Sequence, residues 1–421
     1  MPKNVAYILD MLNKDGNSAY IVGGCVRDSL MGVTPHDWDI CTSCTPEQVK
    51  NIFMGYRIID TGIKHGTVTI VIDDEQYEVT TYRIDGIYED NRHPKEVIFA
   101  DCIDDDLSRR DFTINAIAYN DIVGIVDPFD GVEDIDRELI RCVGNPNERF
   151  TEDALRIFRA ERFSMTLGFD IDEETEKAML ENRLLLKNIA VERISSELWK
   201  AISKKRFINV RLFILLQAIL PEYFSTSIIR ELEYTLSRIR TSGYITIAFI
   251  HQIIYEHENH SIMKNPQSMM EKLRFSNHDI KYIRSMLYGL NDVMAQINND
   301  IIGVNSVEPL PELKRLLNRN GEESIEDTIA LIKIYVRHLA IKSGFISDYV
   351  LEMERMLDVA KGECHTLSQL KVDGNDLLKF GFKGEEIGLI LQDTLNQVIY
   401  GVLRNEKNAL INYISKTYLN S

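Results

Sequence analysis

The chain has 421 residues, 44% of them hydrophobic, and a formal net charge of −17. This length exceeds one ordinary hydrophobic core, so we expect roughly two to four domains or subdomains. No apolar run approaches a membrane span, the N-terminus lacks a signal-peptide pattern, and six cysteines do not suggest a disulfide framework. We therefore predict a cytoplasmic protein without a membrane partner, in which any RNA-binding surface is a local basic patch.

The first motif, Gly23-Gly24-Cys25-Val26-Arg27-Asp28, follows the apolar, strand-like run Ala19–Val22. Glycines where a strand turns into a helix let backbone N–H groups approach a phosphate. Arg27 on the first helical turn would add a fork of donors for the same anion. We predict an anion-binding corner at Gly24 and Arg27, although a Gly-Gly pair by itself is most often only a turn.

The second motif is Asp37-Trp38-Asp39-Ile40-Cys41. If these residues form a strand, alternation places both carboxylates on one face. Hard oxygen ligands suit Mg²⁺, and a pair of ions about 3.5–4 Å apart can stabilise both oxygens that exchange in a phosphoryl transfer. The pattern predicts that Asp37 and Asp39 are catalytic metal ligands; a solvated loop would also fit it.

The next segments suggest a mixed α/β region. Pro46–Phe53 has helical character, whereas Gly66–Ile72 and Gln76–Tyr82 have the composition of strands. Glu78 in the latter strand could lie beside Asp37 and Asp39 as a third catalytic carboxylate. An exposed strand glutamate fits the pattern equally well.

A third motif combines two arginines and an aspartate, Arg109-Arg110-Asp111, with an apolar segment that we predict to be a helix over Asp111–Tyr119. An arginine at the start of a helix is unfavourable for the helix dipole. We therefore expect an arginine here to bind an external anion rather than to fill a structural role.

Near residue 145 the pattern becomes almost entirely helical. The helical periodicity is clear in the segments Glu152–Leu167, Glu173–Leu186, Ile194–Ile202 and Asn209–Ile219. Ile301–Pro311, with one glycine and two prolines, indicates a break between helical blocks. The predicted class is α+β, with an all-α continuation.

In the first of these helices, charged residues recur every third position. They are Asp153, Arg156, Arg159 and Arg162. Each step falls short of a full turn by about 60°, so the first three share one polar arc and the fourth lies at its edge. This arc is a candidate ligand-binding face; alone, it would be interpreted as a solvated face.

Together these motifs resemble a known family. The runs that carry the resemblance are Val22–Asp28, His36–Ile40, Glu78–Arg83, Arg109–Ala118 and Glu152–Arg156. In this order and spacing they are similar to the motifs of the class II tRNA nucleotidyltransferase and poly(A) polymerase family. The tail run Gly374–Gly388 resembles the bacterial CCA-adding branch.

The resemblance implies a polymerase-β-like nucleotidyltransferase head followed by an all-α neck, body and tail. We expect a catalytic head at 1–145, a neck that recognises the nucleotide base at 146–205, a body at 206–300 and a tRNA-binding tail at 301–421. The segment Gly86–Val97 resembles the loop of enzymes that add the whole CCA sequence.

The resemblance also implies roles for single residues. Mg²⁺ would bind Asp37 and Asp39, and Glu78 would be a ligand or a base. The triphosphate and ribose of CTP or ATP would lie among Gly24, Arg27, Arg110 and Asp111. Asp153 and Arg156 would read the base, with Arg159 and Arg162 reaching the phosphates or bracing that pair.

The implied reaction is attack of the tRNA 3′-hydroxyl on the α-phosphate, with release of pyrophosphate, by an enzyme that could form a homodimer. A poly(A) polymerase, or an enzyme adding only A or CC, would share the head motifs.

The sequence leaves two further functions open. One is a phosphohydrolase, which His278-Asp279 suggests, and the other is a non-catalytic tRNA-binding protein. A basic cluster that could contact RNA, or simply be a solvated helix end, comprises Lys200, Lys204, Lys205, Arg206 and Arg211.

Overall fold

The computed structural model describes residues 1–85, 97–237, 241–257, 268–301, 309–343 and 349–419. The chain divides into two compact units, Met1–Glu233 and Tyr234–Ser421. Residues 86–96, which form most of the segment that resembles a CCA-specific loop, lie outside the described residues.

The first unit is built on a mixed sheet. Its strands are β1 (Ala19–Val22), β2 (Ile40–Thr42), β3 (Arg57–Ile59), β4 (Thr67–Ile72), β5 (Glu75–Thr81), β8 (Ala118–Asn120) and β9 (Gly124–Val126). Their order across the sheet is β3-β4-β5-β2-β1-β8-β9. Within this sheet β2 and β5 pair in parallel, and the other neighbours pair antiparallel. Two smaller pairs are β6 (Arg83–Asp85) with β7 (Val97–Phe99) and β10 (Leu139–Ile140) with β11 (Asp170–Ile171).

Helices of this unit surround and follow the sheet. They are α1 (Lys3–Leu12), α2 (Gly24–Leu30), α3 (Pro46–Ile52), α4 (Ile103–Ser108), α5 (Gly131–Asp136), α6 (Pro146–Glu152), α7 (Leu155–Leu167), α8 (Glu173–Asn182), α9 (Val191–Lys204) and α10 (Val210–Ile219). Helix α11 (Thr226–Leu236) crosses the boundary between the units.

The described residues of the second unit form helices joined by turns and loops, with no strand among them. Its helices are α12 (Gly243–His257), α13 (Ser268–Lys272), α14 (Asn277–Ile301), α15 (Pro309–Asn320), α16 (Glu322–Ser343), α17 (Tyr349–Gly362), α18 (Gly374–Lys379), α19 (Glu385–Ile399) and α20 (Lys407–Ile414), followed by a π-helical turn at Ser415–Leu419. None of the helices within the described ranges is long and apolar enough to cross a membrane. The predicted α+β class, with a sheet-containing head before helical domains, is confirmed.

Side-chain burial explains the strands that the sequence predicted. In β4 every second residue is buried, and all four residues of β1 are buried because this strand lies inside the sheet. Tyr20, Cys41 and Tyr82 belong to one apolar cluster against the sheet. The outlines of β1, β4 and β5 therefore follow from hydrophobic patterning alone.

The predicted helix over Asp111–Tyr119 is wrong. Phe112 forms an isolated antiparallel bridge with Cys142, Thr113–Asn115 is a 3₁₀ turn, and the chain then enters β8. Ala118 pairs with Val22 of β1. Pairing with a distant strand satisfies backbone groups that the local apolar pattern assigned to a helix.

Two members of the basic cluster are held inside the first unit. Arg211 forms ion pairs with Glu161, at 2.8 Å, and with Glu176, at 3.0 Å. The Nζ of Lys205 donates to the carbonyl of Ile202, and burial lowers the pKa of this lysine to about 8. These contacts favour a structural role for both residues.

Gly131 provides a test of the packing that supports the 3₁₀ turn. A Cβ atom added at this buried first residue of α5 would lie 2.2 Å from the carbonyl oxygen of Thr113 and 2.8 Å from Ile117. Because the nearest atom is backbone, we expect Gly131→Ala to lower the free energy of unfolding by about 1–3 kcal/mol.

Urea unfolding followed by circular dichroism measures this change. Gly55→Ala is the matched control, since a Cβ there meets nothing within 4 Å. Equal midpoints for the two variants would contradict the proposed packing.

Candidate active site

The acidic pair lies just before β2 rather than inside it. The strand begins at Ile40, but the backbone N–H of Val22 still donates to the carbonyl of Asp39, at 3.0 Å. The chain at Asp39 therefore continues alongside β1, and the side chains of Asp37 and Asp39 are both exposed.

Glu78 joins this pair through the register of the sheet. Ile40 lies opposite Val79 in the parallel pairing of β2 and β5, which sets Asp39 beside Glu78. All three carboxylates line one cavity of about 750 Å³, whose other lining residues are Pro2, His36, Trp38, Glu75, Gln76 and Tyr77. The structure thus brings together the three acidic residues that the sequence singled out.

The surroundings of Asp39 raise the pKa of its carboxyl group. Protein atoms packed around its carboxyl group desolvate it and raise its pKa, Arg110 opposes this shift, and the charge of Asp37 raises the pKa further. A cation between the two carboxylates would relieve their repulsion, and oxygen donors of this kind suit Mg²⁺. Nowhere in the described part of the chain do three acidic, histidine or cysteine side chains converge as a complete ligand set.

Gly23 is a residue of the glycine corner whose special role the sequence analysis missed. Its φ of +78° is in the left-handed region, and a Cβ there would lie 2.8 Å from Nη1 of Arg110. Gly24, the predicted residue, begins α2. The position of Gly23 at the end of β1 was the available signal.

Arg27 is buried in an internal network. Its Nη1 donates to Oδ1 of Asn115 at 2.6 Å, and its Nε and Nη2 donate to Oδ1 of Asp28 at 2.9 and 2.6 Å. Asn115 in turn donates from Nδ2 to Asp111, at 3.1 Å. Asn115 therefore links two predicted site residues, and no local sequence signal identified it.

Arg109 and Arg110 follow the C-terminus of α4, so the helix-dipole argument made from the sequence is wrong. Cations are favourable at this end of a helix. Both arginines pair with the fully buried Asp106, at 2.6 and 3.0 Å. The Nε of Arg110 is buried and finds no hydrogen-bond partner among the described residues.

Asp111 and Arg159 form a buried ion pair that connects the head to α7. Oδ2 of Asp111 accepts from Nε and Nη2 of Arg159, at 2.8 and 2.6 Å. Burial alone would raise the pKa of Asp111, but Arg159 and the Asn115 hydrogen bond outweigh it and lower the pKa to about 2.

Phe163 is a second residue that the sequence analysis missed. The guanidinium carbons of Arg162, Arg27 and Arg159 lie 3.8, 5.2 and 5.3 Å from the centre of its ring. An aromatic face attracts cations. Arg162 also donates from Nε to Glu197, at 2.5 Å, and Glu197 accepts from Lys200 at 3.0 Å.

The predicted helix from Glu152 to Leu167 is broken at Asp153. Helix α6 ends at Glu152, Asp153 has an extended backbone, and α7 begins at Leu155. Asp153 therefore does not lie on a common helical arc with the arginines. Its Oδ1 instead accepts from the N–H of Leu155 at 3.1 Å, and its Oδ2 accepts from Arg193 at 3.3 Å.

Arg156 lies close to this break and is buried. Its Nη1 donates to Glu152 at 2.8 Å and to the carbonyl of Arg149 at 3.3 Å, and its Nη2 donates to the carbonyl of Arg109 at 2.9 Å. These bonds leave the Nε hydrogen and one Nη2 hydrogen available to a ligand.

His278, the basis of the phosphohydrolase hypothesis, lies far outside this arrangement in the sequence and belongs to the second unit. Its side chain is 70% exposed. Its neighbour Asp279 accepts hydrogen bonds from Tyr244 and Ser276, at 2.7 and 2.6 Å. These contacts are those of a helix start and give no support to a metal-dependent hydrolase.

Comparison with known proteins adds independent information. Profiles of three families match the chain: the poly A polymerase head domain at 19–141, the family described as a probable RNA and SrmB-binding site of polymerase A at 168–224, and tRNA nucleotidyltransferase domain 2 at 258–414. The profiles therefore match parts of both compact units.

Curated relatives are similar over almost the whole length. The CCA-adding enzyme of Enterococcus faecalis is 33% identical over 98% of this chain and 96% of its own length. That of Lactobacillus helveticus is 34% identical over 97% of this chain and 95% of its own. The crystal structure of the Bacillus stearothermophilus CCA-adding enzyme in complex with CTP matches with a TM-score of 0.74 and 28% identity, covering all of both chains.

The buried ion pair of Asp111 predicts a pH dependence of stability. A pKa lowered from 3.8 to about 2 adds stability that is present above pH 4 and lost as the pH falls from about 4 to about 2. We expect Asp111→Asn to lower the free energy of unfolding by about 2 kcal/mol at pH 7, and by about half as much at pH 3.

Urea titrations at the two pH values measure this difference. Asp136→Asn, which changes an exposed aspartate, is the control and should have little effect at either pH. A loss in Asp111→Asn that is equally large at pH 7 and pH 3 would argue against the ion pair as its cause.

Proposed function

We propose that this chain, which belongs to the family of CCA-adding enzymes, adds C, C and A from CTP and ATP to the 3′ end of tRNA without a nucleic-acid template. The observation that carries this function is identity of about one third with curated CCA-adding enzymes along nearly the whole chain. A cavity lined by carboxylates, close to clustered arginines, provides the chemistry that such an enzyme needs.

In the proposed reaction the 3′-hydroxyl of tRNA attacks the α-phosphate of the nucleotide, the bond to the β-phosphate breaks, and pyrophosphate leaves. Asp37 and Asp39 would hold Mg²⁺, since two carboxylates completed by substrate phosphates and water form a usual magnesium site. When bound, the ion supplies a Lewis acid that activates the hydroxyl and neutralises developing charge. Glu78 would be a further ligand or a base at the same cavity.

The arginine-rich side of the site would bind the triphosphate and ribose. A guanidinium has five N–H donors, and the internal partners of Arg27, Arg159 and Arg162 use only some of them. Those partners fix the planes of the guanidinium groups and leave other donors for phosphate oxygens. Arg110, whose Nε has no hydrogen-bond partner in the described ranges, would complete this subsite together with Gly24 and Asp111.

Asp153 and Arg156 would choose the base. Cytosine and adenine both carry an exocyclic amine that can donate to a carboxylate, and ring acceptors that can receive from an arginine. Uracil and guanine present a carbonyl at the corresponding position, so the Asp153 carboxylate would reject them.

The match of residues 19–141 to a poly A polymerase head makes poly(A) synthesis the second candidate. The match of residues 258–414 to a tRNA nucleotidyltransferase domain favours tRNA as the substrate. An enzyme that adds only A or only CC would use the same site. Extension of tRNAs with different 3′ ends distinguishes it from an enzyme that adds the whole CCA sequence. Action in the cytoplasm and a homodimeric state stay predictions, the second testable by sedimentation.

The decisive experiment supplies Mg²⁺ and three tRNAs, ending before the CCA, after the first C and after CC, with CTP, ATP or both. We expect all three tRNAs to be extended and the products to stop at CCA. Long runs of A from ATP alone would instead establish a poly(A) polymerase.

The acidic pair provides a separate prediction. We expect Asp37→Asn and Asp39→Asn each to reduce the rate of CTP addition by at least about 100-fold, because each removes a charge from the metal site. The stability of both variants should be retained, since both side chains are exposed.

Steady-state incorporation of labelled CTP measures the rate, and Asp136→Asn is again the control. Addition at an undiminished rate by the variant that changes both residues, Asp37→Asn with Asp39→Asn, would reject these ligands.

A further inference from the structure

Arg193 lies in an unusual place for a cation. It is in the first turn of α9, where the helix dipole disfavours positive charge. Its Nη2 donates to Oδ2 of Asp153, at 3.3 Å. A residue 40 positions away in the sequence therefore supplies the negative charge that this arginine needs.

The contact completes the restraint of the Asp153 carboxylate. A carboxylate rotates easily about its last side-chain bond, because that torsion has broad minima. Here the N–H of Leu155 holds Oδ1 and Arg193 holds Oδ2, so the carboxylate plane is fixed from both ends. Each oxygen keeps a further lone pair for another donor.

The geometry of the ion pair differs from that of a closed structural bridge. Arginine and carboxylate often pair through two parallel bonds, which occupy two of the guanidinium nitrogens. Arg193 reaches Asp153 with Nη2 only, whereas its Nη1 is buried and meets no hydrogen-bond partner in the described parts of the chain. A buried donor of this kind calls for an acceptor from water or a ligand.

We propose that Arg193 is a positioning residue that determines which nucleotide is selected. This inference rests on the proposed function. Arg193 aims the Asp153 carboxylate at the exocyclic amine of cytosine or adenine, while Arg156 meets the ring acceptors. Without Arg193 the carboxylate turns about its side-chain bond, and the penalty against a base with a carbonyl at that position decreases. Selection of the nucleotide then depends on a side chain that need not touch the base.

The test compares Arg193→Met and Arg193→Lys in the full-length protein. The measured quantity is the ratio of kcat/KM for CTP to that for UTP, on tRNA that ends before the CCA. We expect the ratio to fall by about 10-fold or more in Arg193→Met. In Arg193→Lys, which keeps the charge but not the planar fork, we expect a decrease of about 3-fold.

Arg137→Met is the matched control, since Arg137 is an exposed arginine of the same unit that pairs with Glu133. Its CTP-to-UTP ratio should equal that of the unchanged protein. A loss of activity in Arg193→Met that is equal for CTP and UTP, with an unchanged ratio, overturns the inference. If circular dichroism shows that Arg193→Met is unfolded, Arg193→Lys decides: an unchanged ratio in that variant also overturns it.

A double-variant comparison separates positioning from general destabilisation. Asp153→Asn lowers the ratio directly, and adding Arg193→Met to it should lower the ratio no further. Independent, multiplying effects would contradict an action through Asp153. Failure of the unchanged protein to add CTP to tRNA would refute the proposed function itself, which is a different outcome from an unchanged ratio.

Discussion

The arrangement of the site depends on the buried ion pair between Asp111 and Arg159. Asp111 follows α4 in the head, Arg159 lies in α7, and their atoms approach to 2.6 Å. Several guanidinium groups can be gathered near one another only if buried anions compensate them. Asp111, Asp106 and Glu197 are the buried anions that compensate these arginines. Asp111 also links the sheet-containing head to α7 through its bond to Arg159.

The candidate site has two chemically different sides. On one side Asp37, Asp39 and Glu78 line an acidic cavity, with Asp39 and Glu78 aligned by the parallel register of β2 and β5. On the other side, arginines surround Phe163. Arg110 interacts with Asp39 and so lies where the two sides meet. A metal-dependent nucleotidyl transfer from a triphosphate requires this combination of anionic and cationic surfaces.

Much of the fold and of the site could be predicted from local pattern. Strands β1, β4 and β5 and helices such as α3 and α10 lie close to where hydrophobic periodicity placed them, because burial of one face dictates that periodicity. The predictions failed at Asp111–Tyr119 and at Asp153. At the first place the pairing of β8 with β1 replaces the helical bonds expected locally. At the second, the Asp153 side chain accepts hydrogen bonds from the nearby N–H of Leu155 and from the distant Arg193.

The sequence by itself determined which residues are candidates for the chemistry and the order in which they occur. Only the tertiary structure decided their partners. Arg27 bonds to Asn115, 88 residues away, and Asp111 bonds to Arg159, 48 residues away. It also identified Gly23, Phe163 and Arg193, whose importance arises from close approach to distant side chains. Local periodicity reports which face of an element is buried, but a hydrogen bond between distant residues leaves no periodic trace in the chain.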